Sequence, residues 1–130
     1  MPLRLVPVVI AMFWALPGAV FAHHPGSHVR IVDEATLALV VTYLAPDACH
    51  VLENAAPGAP QAVAAPAGTI PVSVSVVSRP ATADTACTAT PTPIEATLSL
   101  PRGGERTVQI YFLDAAGIVI STERVPVPES

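Results

Sequence analysis

Beyond residue 22 the chain carries no helical periodicity, and its apolar residues recur at every second position in short runs closed by Pro, Gly or Asp. The clearest run is Ile70 to Ser78, where Val72, Val74 and Val76 alternate with Ser73 and Ser75. Alternation of this kind turns one face of a strand to a core and the other to water. Thr36 to Tyr43 repeats it with Leu37, Leu39, Val41 and Tyr43 on the apolar side. Ile94 to Leu100 does so with Ile94, Ala96, Leu98 and Leu100, and Arg106 to Leu113 with Val108, Ile110 and Phe112. Val29 to Val32, Cys49 to Glu53 and Ile118 to Val125 read as further short strands. Pro101 to Glu105 and Asp114 to Gly117 read as two hairpin turns. Pro57, Pro60 and Pro66 disfavour helix across Ala55 to Gly68, which is expected to be a mobile loop, either functional or merely tolerated. Pro126 and Pro128 close the last strand and discourage pairing beyond it. Six or seven short strands in one domain predict an all-β fold, an antiparallel sandwich of two sheets.

The N-terminus obeys different rules. Arg4 and the free amine precede an apolar run from Leu5 to Leu16, Pro17-Gly18 breaks it, and Val20-Phe21-Ala22 offers small residues where a signal peptidase cuts. The run is shorter than the roughly 20 apolar residues of a membrane span, and no charged stop flanks it. Residues 1–22 are therefore expected to be a cleavable secretory leader, with an uncleaved anchor as the alternative. Residues 23–28 would form a flexible histidine-bearing arm, 29–125 the sandwich domain and 126–130 a tail. Both Met, the only Trp, and Phe13 and Phe21 leave with the leader, so Tyr43, Tyr111 and Phe112 are the remaining aromatics. A core of Val, Ile, Leu and Ala is lean for this length, and a covalent staple gains value.

The mature part sets five Arg (Arg30, Arg79, Arg102, Arg106, Arg124) and no Lys against ten carboxylates. That balance argues against a nucleic-acid footprint and against an anionic membrane surface. Cys49 and Cys87 are the only cysteines. An oxidising compartment favours pairing them, and closing a loop of that length contributes about 4 kcal/mol. The alternative is a pair of free thiols or thiolate metal ligands.

Pro46-Asp47-Ala48-Cys49-His50, then Ser78-Arg79-Pro80 with Cys87 after it, then Thr92-Pro93-Ile94-Glu95, resembles a group of small exported bacterial domains, largely uncharacterised. The likeness runs from about Tyr43 to Val125. It implies an immunoglobulin-like sandwich stapled by Cys49–Cys87 and carries no activity. The Ala/Pro stretch at 55–68 departs from the shorter connection of that group.

Catalytic motifs are lacking. A Ser/His/Asp set can be drawn from His50, Asp47 and several serines, but no nucleophile-elbow pattern supports it, and Gly103-Gly104 reads as a turn between strands. The histidines stand out. His23, His24 and His28 cluster at the mature N-terminus, where cleavage after Ala22 would give His23 a free amine. Amine and ring chelate together, a second imidazole adds a nitrogen, and such a set suits Cu(II). Pro25 has no N–H, so amide chelation stops at His24, while His28 can loop back to close the site. His50 could join only if the arm folds onto the disulfide end. Ala22-His23-His24-Pro25-Gly26 also resembles the exported start of some bacterial copper-delivery proteins. The other reading is a polar arm whose histidines keep the terminus soluble. The chain is thus expected to be a non-catalytic periplasmic or secreted binding module with a protein partner in the envelope, or alternatively a Cu(II)-binding or copper-delivery protein.

Overall fold

The computed structural model describes residues 25–80 and 86–129. The leader expected at 1–22, His23 and His24 lie outside the described residues. Seven strands form: β1 (His28–Asp33), β2 (Ala38–Ala45), β3 (His50–Pro57), β4 (Thr69–Ser78), β5 (Thr92–Ser99), β6 (Thr107–Leu113) and β7 (Val119–Pro126). They make two sheets, ordered β1-β2-β5 and β3-β4-β6-β7. The fold is all-β, and among the described residues no helix is long and apolar enough to cross a membrane.

The two sheets meet over one core. Leu39, Val41, Tyr43 and Ala45 of β2 face Ile70, Val72, Val74 and Val76 of β4 and Val108, Ile110 and Phe112 of β6. These are the residues that the two-residue alternation selects. The Tyr43 and Phe112 rings sit 5.0 Å apart, and burial pushes the Tyr43 phenol above its ordinary pKa. Ile94 and Leu98 of β5 are only half-buried against the core, because β5 is an edge strand. Leu37 closes the bottom of the core with a left-handed backbone, φ 48°, while its N–H-accepting carbonyl takes Leu100 at 3.1 Å.

Three expectations need correction. The sheets are not wholly antiparallel: β4 and β6 run parallel, from Thr69 opposite Thr107 to Ser75 opposite Leu113. A parallel pair needs a crossover, and β5, lying in the other sheet, supplies it. Pro101 to Glu105 is consequently no hairpin but the passage from one sheet to the other. The loop at 55–68 also begins later than its composition suggests, since β3 runs on to Pro57. A register shift between Glu53 and Ala56, with Asn54 at φ 53°, absorbs the irregularity.

The remainder of the Ala/Pro stretch folds into two turns, Val63 N–H to Pro60 O at 3.1 Å and Thr69 N–H to Pro66 O at 3.3 Å. The segment is tied to β4 by Gly58 N–H to Pro71 O at 2.8 Å. Asp114 to Gly117 does form the expected hairpin: Asp114 Oδ1 accepts from the N–H groups of Ala116 and Ile118, and Gly117 takes φ 81°.

Strand order also has a physical logic. The strand with uninterrupted apolar alternation, β4, occupies a central place, whereas β3, bulged and carrying Glu53 and Asn54, takes the edge. Bulges and charge on an edge discourage further pairing.

Candidate functional site

Odd-numbered strands begin and even-numbered strands end at one pole of the molecule, as the strand pairings and the short link from Ala45 to His50 require. Pro25-Gly26, residues 46–49, Arg79, residues 86–91 and the Asp114–Gly117 hairpin gather there. A cystine, Cys49–Cys87, joins two of these connections with Cα atoms 5.2 Å apart. Cys49 is buried and Cys87 exposed. Two backbone bonds reinforce the clamp: Ala48 N–H to Thr88 O at 3.2 Å and Arg79 N–H to Cys49 O at 2.7 Å. The predicted disulfide is present, and the thiolate metal site that was its alternative is excluded.

Asp47 organises the link into β3. Its Oδ1 accepts the Cys49 N–H at 2.8 Å and lies 2.8 Å from His50 Nδ1. The Cys49 N–H first, and His50 second, hold the Asp47 carboxyl below the usual carboxylate range. A carboxylate at Nδ1 favours the ring proton there and leaves Nε2 as the acceptor, the arrangement that orients metal-ligating and basic histidines. The Asp47–His50 contact that such a set would require is present. Ser78 is the residue opposite His50 in register, yet among the described residues no hydroxyl is hydrogen-bonded to the imidazole.

Of the histidine arm, His28 alone is described. It opens β1, exposed, opposite Thr42. His50 opens β3 in the other sheet, and among the described residues no three His, Cys, Asp or Glu side chains gather into a metal-sized cluster. Two residues before His28, Gly26 (φ 84°) lies against Leu44: a Cβ at position 26 would stand 2.8 Å from Leu44 Cδ2. The arm thus emerges against the end of β2, three residues before Asp47.

At the opposite pole an open cleft of about 560 Å³ is lined by Arg102, Glu105, Arg106 and Val127, among others. Its most enclosed cation is already engaged, because the Arg102 guanidinium donates to the carbonyls of Glu34 and Pro128 and straps the C-terminal segment to the β1–β2 turn. Arg79 and Glu53, 2.8 Å apart, form an exposed ion pair beside the cystine pole.

The Asp47–His50 pair was visible in the sequence only as an Asp-x-x-His spacing beside a cysteine. No family model matches the chain, and neither does any curated protein or any solved structure.

Proposed function

We propose that this chain is a non-catalytic binding module of the bacterial envelope, exported by its N-terminal leader, which engages a protein partner through its cystine pole. We read its two sheets as an immunoglobulin-like sandwich in which the third and fourth strands have exchanged places, making one central pair parallel. The observation that carries the reading is the clamp of Cys49–Cys87 with its two flanking backbone bonds, which fixes two neighbouring connections on a rigid scaffold. Loops held in one shape lose little entropy on binding. A cystine also suits an oxidising compartment. Site-specific photo-crosslinking in the native host tests this. A cross-linker at Ala48 or Ala115 should give a discrete protein adduct, and one at Ala67, at the other pole, should not. Adducts at neither pole, or at Ala67 alone, would overturn the reading.

A second reading is Cu(II) binding or delivery by His23, His24 and His28. Its support is the seat of Gly26 on Leu44, which starts the arm at the pole that also holds His50, and the exposure of His28. The exported form, purified without a tag, should bind Cu(II) tightly and lose that binding when one Ala is inserted before His23. Equal, weak binding by both forms would remove the N-terminal chelate.

A further inference from the structure

The two sheets end in β1, β5, β3 and β7, and three of these edges are blunted. β1 slips register between Ile31 and Asp33 and carries Arg30 and Asp33. β3 slips between Glu53 and Ala56, with Asn54 at φ 53°. β7 slips opposite Leu113 and ends on Pro126. Bulges, charges and Pro all discourage a further strand. β5 differs: beyond Pro93 its register with β2 runs unbroken from Thr92 opposite Ala45 to Ser99 opposite Ala38, and Glu95 is its one charge. The Leu100 N–H reaches the Leu37 carbonyl at 3.1 Å, so even-numbered residues of β5 turn their backbone groups to β2 and odd-numbered ones turn theirs away. The N–H groups of Glu95, Thr97 and Ser99 therefore line an edge beyond which the sheet has no further strand among the described residues.

This edge complements itself. A second β5, antiparallel across a two-fold axis, must set outward-turned residues opposite one another, which puts the axis at a residue and not between two. An axis at Glu95 brings two carboxylates face to face, and an axis at Thr97 leaves only residues 95–99 of each strand overlapping. An axis at Ala96 pairs residues 93–99. Glu95 then stands opposite Thr97 of the second copy, exposed carboxylate beside exposed hydroxyl, and half-buried Ile94 stands opposite half-buried Leu98. The N–H groups of Glu95, Thr97 and Ser99 meet the carbonyls of Thr97, Glu95 and Pro93 of the other copy. We propose that β5 is the edge at which two copies of this chain join, antiparallel about Ala96, into one continuous sheet. The antiparallel arrangement points the two cystine poles to opposite ends and leaves both open, so the dimer goes beyond the binding reading and does not depend on it.

Sedimentation of the oxidised exported form across a concentration series tests it. The wild type should pass from monomer to dimer, and the amides of Glu95, Thr97 and Ser99 should exchange with solvent more slowly as the dimer fills. Thr97→Pro, which removes one outward N–H from each copy, should stay monomeric with the far-UV circular dichroism of the wild type. Thr97→Glu sets a second carboxylate opposite Glu95 and should weaken the dimer about tenfold, whereas Thr97→Arg supplies an opposite charge and should tighten it. A wild type that remains monomeric throughout, or a dimer indifferent to the charge at position 97, would overturn the proposal. Weakening by Thr97→Arg and Thr97→Glu alike would overturn the pairing about Ala96, because it would place the axis at Thr97.

Discussion

Two polar residues show how much local chemistry this lean core tolerates. Ser121 faces the core from β7, opposite Phe112, only 1% exposed, and its hydroxyl has no hydrogen-bond partner. An unpaired buried hydroxyl is a net cost. Ser121→Ala should therefore raise the unfolding free energy by about 1 kcal/mol, measured by urea titration; a drop would show that the hydroxyl is satisfied after all. Asp47 works in the opposite sense, because its two contacts reward the ionised carboxyl. Its folded pKa is lowered, so its contribution is complete above the ordinary carboxylate range, near pH 4, and disappears as pH falls through the depressed value. The urea midpoint of the wild type should drop more steeply with acid than that of Asp47→Ala. Parallel acid limbs for the two proteins would mean that the Asp47 contacts do not stabilise the fold. His50 should then also lose its fixed orientation in Asp47→Ala, seen as a change in its imidazole NMR shifts.

At the scale of the strand, position within a sheet decides the cost of a change. Val74, fully buried in central β4, and Leu98, half-buried in edge β5, read identically in the sequence as inward members of an alternating run. Val74→Ala should cost about 2–3 kcal/mol. Leu98→Ala removes more atoms, yet it should cost about 1 kcal/mol, because much of the side chain already meets water. Urea denaturation of the two variants checks the order, and a larger loss at Leu98 would refute it. Existence and inward face were legible for every strand with a clean period of two: Leu39, Val41, Val72, Val74, Val108 and Ile110 are all core residues. Sheet membership was not. Nothing in Pro101 to Glu105 distinguishes a hairpin from a passage between sheets, since both need the same turn residues, and only the competition among strands for central places decides. The same blindness hid which residues of β1, β2 and β5 stand side by side, because register is a long-range property. The Asp47–His50 contact was nearer the surface of the sequence, three residues apart, and among the described residues no hydroxyl is hydrogen-bonded to the imidazole.

For the molecule as a whole, the cystine is the one covalent link between segments distant in sequence, and the core it assists is built almost entirely from aliphatic side chains. Replacing both cysteines, Cys49→Ala with Cys87→Ala, should lower the unfolding free energy by about 2–4 kcal/mol and leave the far-UV circular dichroism that of a β protein. An unchanged urea midpoint would show that the clamp does not limit stability.

The parallel pair has a consequence in time. β6 cannot settle beside β4 until the chain has visited the other sheet through β5. Contacts that wait on such distant closure make folding slow. In a chain that crosses a membrane N-terminus first, Cys87 arrives before any residue of β5, so oxidation can close the segment that carries β3 and β4 while the last three strands are still in transit. The early bond would then hold the start of β5 near the end of β2, its partner-to-be, and shorten the search by which those two strands meet.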